Sequence, residues 1–506
     1  MVDKLISTGI IGYFTFALSL MAAVDYRWFA GYLCIFFCLS VIVCRYFRAE
    51  ITADIKRSTQ QLLSGETKDR TIFYFLIVLL LSAVYWYAYY PGGFNLDAYG
   101  QWYQAHGYSP YNDWHPFVST LLIQLVVSFV DDFAFYILIQ IILFSATEAF
   151  MLRALQKAGI PAKFLVVTAI LTGLNPAVGL NTVCMVKDVQ YSILLILIMQ
   201  GAFRIVESEG RVLHNNAFLF SLGSILALSA LVRHNGVLFV VPFLLLLLFG
   251  YKACAKRICI LGLTVLVIVM TIKGPVAGKL KVEPHNNVTG ELVGIPMAIM
   301  ANALVHDTEN VPEEVHAFLN TIAADEEWNA HYFTGEWDSC KWEFSKADLL
   351  KNEPLEKILY LTWETMRACP QAAYDSFREN TKIVWEAVQT PLYWIPEVYI
   401  EENDLGIIPE PVPAMNTLCR RITEISLFPV IRGFFWNNGM QCLVMLTIFL
   451  FLPAEKRLKE SILVLPLLAY TLGTMLLLAG PNQRYFYCNA VLYIPVSLMM
   501  LRGYHR

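Results

Sequence analysis

Charged residues are scarce in this sequence. Asp, Glu, Lys and Arg make up 15% of its 506 residues, whereas soluble globular chains average roughly 25%. The net charge is −4, and without a basic excess we expect no nucleic-acid partner. The eleven cysteines include no CxxC pair and no spacing typical of metal ligands. We therefore interpret most of them as small core residues.

Apolar residues are correspondingly abundant. They make up 57% of the chain, and the mean hydropathy is +0.53. Many apolar runs reach the roughly 17–20 residues that a helix needs to cross a bilayer, and such runs are too long for barrel strands. We predict an all-α polytopic membrane protein, with the lipid bilayer as its first partner.

Twelve transmembrane helices result when spans are assigned from the apolar runs and oriented by Lys/Arg bias. Their predicted limits are 6–24, 28–45, 72–90, 133–152, 164–184, 187–205, 215–232, 236–250, 258–273, 434–452, 461–479 and 485–501. The linker 45–70 is rich in Lys and Arg. We therefore expect that linker and both termini on the cytoplasmic side of the cell membrane.

One apolar run is treated differently. Phe117–Val130 has only 14 residues and is followed by Asp131 and Asp132. Runs of 10–14 residues are more often interfacial than spanning. If this run crossed the bilayer, the basic loop 153–163 would lie outside, against the Lys/Arg bias. We predict an interfacial or re-entrant juxtamembrane helix at 117–130.

Charge divides the chain into parts. Residues 275–432 hold 25 acidic and 12 basic residues, which leaves 16 acids (41 − 25) and 25 bases (37 − 12) elsewhere. Helical apolar spacing recurs within this acidic part, at Val311–Ala323, Leu355–Arg367 and Ala372–Ala387. The predicted organisation is a transmembrane hairpin with a cytoplasmic linker (1–70), a transmembrane core (71–274) with an external loop (91–132), a mostly helical external domain (275–432) and C-terminal transmembrane helices (433–506).

The external loop carries the first candidate for chemistry. Turn residues end the apolar run before Gly92, and Asp97 follows among many aromatic residues. A carboxylate at a membrane interface with an aromatic belt is a candidate for chemistry on a lipid headgroup. Asp97 is either the cap of an interfacial helix or a catalytic base. Tyr99, Trp102 and Trp114 are the candidates for contact with the acceptor or headgroup.

Five polar features converge on the outer face in the predicted topology: Asp97, His115, Lys187-Asp188, Arg233-His234 and Arg484. Such a set fits group transfer from a lipid-phosphate donor, because the phosphate leaving group needs cations and the acceptor hydroxyl needs a base.

Each of these features has a predicted role. Asp97 is the predicted base, and the donor phosphate is assigned to Arg233, His234, Arg484 and Lys187. Arg233 and Arg484 lead that set, because Arg matches phosphate geometry. Asp188 pairs with Lys187 or with a divalent cation (Mg²⁺ or Mn²⁺), and His115 ligates the same ion or caps the Trp114-Pro116 turn.

The order of these motifs resembles the GT-C superfamily of membrane glycosyltransferases. The similarity is carried by an Asp in the first large external loop, a juxtamembrane helix after it and a second acidic residue in the next external loop. Closer similarity to uncharacterised bacterial members is carried by the stretches around Asn95–Tyr99, Asp113–Pro116, Val186–Asp188, Val232–Gly236 and Gln483–Tyr485.

This resemblance implies a donor carried on polyprenyl phosphate and an active site on the extracytoplasmic face. It also implies that Asp97 is the catalytic base and that Asp188 is a second acidic residue near the site. Ala98 follows Asp97, where several GT-C families have an Asp-Glu pair, and this departure leaves metal dependence open.

Three functions are compatible with the sequence. The first is an inverting glycosyltransferase that moves a polyprenyl-phosphate-linked sugar to a cell-envelope glycan or lipid acceptor. The second is a transporter or flippase of lipid-linked saccharides, although transporters place charges near the bilayer midplane. The third is a polysaccharide polymerase or ligase, which product length would distinguish from single-sugar transfer.

Overall fold

The computed structural model describes residues 2–46, 68–284, 288–388 and 395–503, and in these ranges the protein is helical. Pairing outside the helices is limited there to isolated bridges. The N-terminal and core helices are α1 Val2–Ala22, α2 Tyr26–Tyr46, α3 Thr71–Ala88, α4 Leu96–Ala105, α5 Phe117–Val127, α6 Phe133–Lys157, α7 Ala162–Leu174, α8 Pro176–Thr182, α9 Lys187–Glu207, α10 Asn216–Val232, α11 Val237–Gly250 and α12 Ala255–Thr271. The later helices are α13 Gly294–His306, α14 Glu313–Ile322, α15 Asp325–His331, α16 Leu355–Ala368, α17 Pro370–Trp385, α18 Pro413–Ser426, α19 Asn438–Phe451, α20 Ala454–Glu460, α21 Leu465–Met475 and α22 Tyr487–Gly503.

In the part of the chain that the structure describes, four helices are long and apolar enough to cross a membrane, and the number rises to six if each of two bent pairs is one span. The four are Thr71–Ala88, Phe133–Lys157, Lys187–Glu207 and Lys252–Lys279. Shorter apolar helices account for several other predicted spans, among them Asn216–Val232 and Asn438–Phe451. A polytopic membrane protein is therefore supported, but the predicted count of twelve is not confirmed.

The predicted span 164–184 is broken in the middle. Its two halves, α7 and α8, meet at an angle of 58°. Asn175 ends α7 and also caps α8 by accepting a hydrogen bond from the backbone N–H of Ala177, with Pro176 at the first helical position. Proline lacks the N–H that a continuous helix would need and disfavours helical geometry in the residue before it.

One end of the helix bundle brings two basic segments of the chain together. At one end, Asp69 pairs with Arg153 at 2.8 Å and Arg502 donates to the Ala158 carbonyl. Residues at the C-terminal edge of the linker 45–70 therefore contact the basic loop 153–163. The sequence assigns both segments to the same side of the membrane. Residues 47–67 of that linker lie outside the described ranges.

Apolar side chains dominate the packing of the bundle between its ends, but one buried carboxyl group lies among them. Glu148, in the middle of α6, is 0% exposed. Among the described residues, neither of its carboxyl oxygens has a hydrogen-bond partner. Burying a carboxyl group without a partner costs free energy.

The acidic part 275–432 is helical, as predicted from its apolar spacing. Helices α14, α16 and α17 coincide with the three predicted segments. Pro370 occupies the first turn of α17, where its missing N–H costs nothing. The cysteines of this part, Cys340, Cys369 and Cys419, are free thiols.

The acidic part packs against the end of the bundle opposite Arg153. The Gln371 side chain of α17 accepts a hydrogen bond from the Tyr26 backbone N–H at 3.1 Å, in the turn between α1 and α2. The first residue of α13 must be glycine, because a Cβ on Gly294 would lie 2.4 Å from the Leu478 carbonyl oxygen. The acidic part thereby packs directly against the loop that leads to Arg484.

Helix α5 corresponds to the predicted juxtamembrane helix. It covers Phe117–Val127, and its 11 residues extend about 16 Å at 1.5 Å per residue. A hydrocarbon core about 30 Å thick is too wide for it to cross. Its Ser119 accepts a hydrogen bond from Gln101 of α4, so α5 packs beneath the helix that carries Asp97.

Candidate active site

An extended piece of backbone at Gly93-Phe94 holds three segments together. Gly93 donates to the Val183 carbonyl at 2.9 Å and accepts from Met185 at 3.1 Å. On its other side, Phe94 donates to the Tyr399 carbonyl at 2.9 Å and accepts from Glu401 at 2.7 Å. The piece therefore fixes the start of α4 relative to the loop before Lys187.

Glycine is required in this piece for steric reasons. Gly92 has a φ of +135°, a backbone conformation that residues other than glycine rarely adopt. A Cβ on Gly93 would lie 2.5 Å from the Cys184 sulfur. The close approach of the two backbones depends on this absence of side chains.

Asp97 lies in the first turn of α4, but it is not the cap. Asn95 is the capping residue, because its side-chain oxygen accepts from the Ala98 backbone N–H at 3.0 Å. The interpretation of Asp97 as a helix cap was therefore wrong. Its carboxylate is left to face other side chains, with 30% of the side chain exposed.

Arg484 is the strongest partner of Asp97. Its Nη1 lies 3.0 Å from Asp97 Oδ2. Asn482 caps the 3₁₀ turn Gln483–Phe486, which contains Arg484, by accepting from the Arg484 backbone N–H. Gln483 accepts from Asn181 of α8 at 2.9 Å. The turn thus directs the guanidinium toward α4, and two residues that the sequence analysis assigned to one face lie in contact.

His115 and Lys187 complete the cluster on the other side of Asp97. Lys187 Nζ lies 2.8 Å from His115 Nδ1, and because an ammonium can only donate, Nδ1 is the acceptor. The ring proton is therefore on Nε2, which lies 3.6 Å from Asp97 Oδ1. We call Asp97, His115, Lys187 and Arg484 the Asp97 cluster.

The pKa values of Asp97 and His115 are both lowered, but by different causes. Burial alone would raise the pKa of Asp97, but Arg484, with Lys187 further away, outweighs it and holds that pKa well below its usual range. Burial, assisted by the ammonium of Lys187, lowers the pKa of His115 to about 3. At neutral pH the site therefore contains an ionised carboxylate and a neutral imidazole.

Asp188 and Arg233 form a separate ion pair inside the protein. They contact each other directly, and their side chains are only 3% and 5% exposed. The rings of Tyr191, Tyr470 and Tyr485 surround the guanidinium at 6.0, 5.8 and 5.5 Å, within cation–π range. Arg233 is thereby enclosed rather than presented to a ligand.

A further cation lies next to Asp113. His234 donates from Nε2 to the Asp113 backbone carbonyl at 3.0 Å, and Lys273 Nζ lies 3.3 Å from the Asp113 carboxylate. Lys273 belongs to a π-helical turn, Ile272–Val276, which contains Gly274 and Pro275. Sequence reasoning missed Lys273, although this Gly-Pro break at the end of a long apolar run was a usable signal.

The three aromatic candidates have different surroundings. Trp102 is 4% exposed in the core, so it has no surface for a headgroup. Tyr99 donates to Asp404 at 3.1 Å, and the ring of Trp114 lies 5.8 Å from Lys341 Nζ. Asp404 belongs to residues 395–412, which cross over α4 and which we call the strap.

The residues proposed for a divalent cation do not fit one. Asp188 is occupied by Arg233, and both ring nitrogens of His115 face other side chains of the cluster. Lys187 and Arg484 would repel a second cation. Within the described ranges, no group of three or more His, Cys, Asp or Glu side chains is arranged to hold a metal ion.

Comparison with protein-family models, curated proteins and solved structures finds no match to this chain.

Proposed function

We propose that this protein is a membrane glycosyltransferase that transfers a sugar from a polyprenyl-phosphate donor to a cell-envelope glycan or lipid acceptor. The observation that carries this proposal is the contact between the Asp97 carboxylate and Arg484, with neutral His115 and charged Lys187 beside them. The cluster combines a base with cations for an anionic leaving group, as acid–base transfer requires.

In this proposal the protein crosses the membrane twelve times, with both termini cytoplasmic and the Asp97 cluster extracytoplasmic. The Lys/Arg bias of the sequence supports that orientation. It is also supported by the position of the acidic part, which contacts the α1–α2 turn at the bundle end opposite Asp69 and Arg153. The GT-C resemblance is part of the proposal and rests on the motif order.

Arg484 has two competing anionic partners in this reaction. While it is paired with Asp97, the depressed pKa makes that carboxylate a weak base. A donor phosphate that binds Arg484 and Lys187 withdraws positive charge from Asp97. Burial then acts on Asp97 with less opposition, and its pKa rises. Donor binding thus strengthens the base when the donor is in place.

The transfer step follows from this arrangement. Asp97 accepts the proton of the acceptor hydroxyl as its oxygen forms a bond to the anomeric carbon of the sugar. The bond from that carbon to the phosphate oxygen breaks, and the lipid phosphate leaves with the electron pair. Arg484 and Lys187 stabilise its negative charge. Attack opposite the leaving group inverts the anomeric configuration.

Asp188 and Arg233 act in this proposal as positioning residues. Asp188 immediately follows Lys187 in the first turn of α9. The buried pair with Arg233 fixes that turn, and through it the direction of the Lys187 side chain. Arg233 stays out of contact with the donor, because its guanidinium is enclosed by tyrosine rings.

The test is sugar transfer by Asp97→Asn protein in membranes with a polyprenyl-phosphate-linked sugar. Loss of a general base typically reduces rates by about 10²–10⁴-fold. The matched control is Asp131→Asn, since Asp131 also contacts a histidine, His106 at 2.7 Å, and lies in the same loop. Transfer at the wild-type rate by Asp97→Asn protein would contradict the proposal.

Product analysis in the same assay separates the alternatives. A single added sugar supports transfer, whereas chain growth identifies a polymerase or ligase. Proteoliposomes that move lipid-linked saccharide without forming a covalent product identify a transporter.

A further inference from the structure

A chain of hydrogen bonds between side chains runs through the bundle next to the candidate site. Gln101 Nε2 donates to Ser119 Oγ at 3.2 Å, and Ser119 Oγ donates to Gln190 Oε1 at 2.8 Å. Gln190 Nε2 donates to the Tyr136 hydroxyl at 3.0 Å, and that hydroxyl donates to Gln140 Oε1 at 3.4 Å. We call these five residues the Gln190 chain. Four of them are buried, and Gln190 itself is half-buried.

The direction of the Gln190 chain is fixed by its last member. Gln140 Nε2 donates to the backbone carbonyls of Thr182 and Cys184, at 2.8 and 2.9 Å. Because a carbonyl can only accept, Gln140 has its Oε1 left for the Tyr136 hydroxyl. The hydroxyl uses its single proton there, so it must accept from Gln190. Reversal would place Gln140 Oε1 against two carbonyl oxygens, and the chain therefore has one hydrogen-bonded arrangement.

Three members of the Gln190 chain lie close in sequence to residues of the Asp97 cluster. On a helix, side chains three or four residues apart are neighbours on one face. Helices α4 and α9 each carry one such pair, and in the first turn of α5 a member of the chain follows His115 by four positions. The pairs are Asp97 and Gln101, Lys187 and Gln190, and His115 and Ser119.

The other end of the Gln190 chain connects to the fourth residue of the cluster, Arg484. Gln140 donates to two carbonyls of the loop 181–185. In the same loop, Asn181 donates to Gln483, which precedes Arg484, at 2.9 Å. One set of polar contacts thereby joins all the segments that carry the cluster.

A second tyrosine–glutamine pair on α6 provides a comparison. Tyr74 is 0% exposed, and its hydroxyl donates to Gln156 Oε1 at 3.2 Å. Gln156 in turn donates to the Lys68 carbonyl, at the bundle end that holds the Asp69–Arg153 pair. Buried polar side chains of membrane helices pair across helices wherever they occur. The Tyr74 pair therefore serves as a measure of what such a bond does far from the site.

We propose that the members of the Gln190 chain are positioning residues, which hold the Lys187 ammonium against His115 Nδ1. Gln190 links three helices, because it lies on α9 with Lys187, accepts from Ser119 of α5 and donates to Tyr136 of α6. Bonds in such a chain polarise and strengthen one another in a low-dielectric interior. Loss of one bond lets the first turn of α9 and the His115 loop move independently. The effect on sugar transfer rests on the proposed function, whereas the positioning of Lys187 does not.

The first experiment follows the contact between Lys187 and His115 without a substrate. The full chain, labelled with isotope-enriched histidine, is placed in nanodiscs for nitrogen NMR, and the His115 Nδ1 signal is identified by its loss in His115→Gln protein. A ring nitrogen that accepts a hydrogen bond resonates at a different frequency from one that does not. We expect Tyr136→Phe and Ser119→Ala each to move this signal toward the frequency of a free nitrogen. The control, Tyr74→Phe, should leave the signal in place.

The second experiment compares the same variants in the transfer assay. In Tyr136→Phe protein we expect kcat to fall about tenfold with KM within about twofold, because a displaced Lys187 stabilises the leaving phosphate less in the transition state. Tyr74→Phe removes an equivalent hydroxyl and should lower the melting temperature similarly, but with kcat unchanged. Each variant deletes a single oxygen atom, and Tyr136 and Ser119 lie on different helices, which guards against a local folding defect.

The two experiments separate this inference from the proposed function. A His115 signal that stays in place in both Tyr136→Phe and Ser119→Ala protein would overturn the positioning role, whatever the transfer rates. A displaced signal with kcat unchanged would support the positioning role and contradict the proposed function, in which Lys187 stabilises the leaving group. A displaced signal with reduced kcat supports both.

Discussion

The pair Asp97–Arg484 allows a quantitative test that does not need a substrate. Its atoms are 3.0 Å apart, and the side chains are 30% and 22% exposed. At that distance an effective dielectric constant of about 20 gives an attraction of about 5.5 kcal/mol. Desolvation of both charges and solvent screening offset most of it. We expect a net coupling of about 1–3 kcal/mol.

A double-mutant cycle measures this coupling. The four proteins are wild type, Asp97→Asn, Arg484→Gln and the double variant, unfolded reversibly in mixed SDS micelles. The pKa of Asp97 is held below its usual range, so its contribution to the free energy of unfolding is present above the unfolded-state pKa of about 3.9. It is lost only as pH falls through the lower folded-state pKa. The coupling should therefore be equal at pH 5 and pH 8.

Two results would refute this reasoning. Additivity of the single changes within about 0.5 kcal/mol would mean that the side chains do not interact. A coupling that falls by half between pH 8 and pH 5 would mean that Asp97 titrates there and that Arg484 does not hold its pKa down.

Three further changes test other parts of the structure. The pKa of His115, about 3 in the folded protein, is below the unfolded value of about 6.5, so wild-type thermal stability should fall as pH drops from 6.5 toward 3. His115→Gln, which keeps an acceptor for Lys187, should flatten that fall in a melting series, and an unchanged slope would contradict the pKa. Asp188→Asn should lower the free energy of unfolding by about 3–5 kcal/mol, because the guanidinium of Arg233 is then buried without a counter-charge. Measurement of the expression level and of the melting temperature of the variant checks this. Glu148→Met should raise stability by about 1–3 kcal/mol, because a buried carboxyl without a hydrogen-bond partner is removed; a loss of transfer with stability unchanged would instead give Glu148 a functional role.

Much of the site could be predicted from the sequence. Lys/Arg bias placed Asp97, Lys187 and Arg484 on one predicted face, and the structure brings these three residues into one cluster at one end of the bundle. The helical spacing of apolar residues was also sufficient to predict the helices of the acidic part, such as Leu355–Ala368. These features depend on the order of residues along the chain, which a sequence displays directly.

Side-chain partners could not be predicted in the same way. Arg233 was assigned to the donor phosphate, but three tyrosines from separate segments enclose it. Asn95, two residues before Asp97, supplies the cap instead of Asp97. Both outcomes depend on which of several neighbouring polar groups packing brings within reach. Likewise, apolar length alone does not distinguish a straight span from the 58° bend at Asn175.

The strap connects the acidic part mechanically to the start of α4. Its residues 399 and 401 share two hydrogen bonds with Phe94, and Gly93 shares two more with the loop before Lys187. Lifting the strap would break the two bonds at Phe94, whereas the two bonds at Gly93 do not involve the strap. The rate of amide hydrogen exchange at Phe94 and Glu401 would then report how often the strap opens. A bulky acceptor that binds beneath the strap should increase the exchange rate of both amides together.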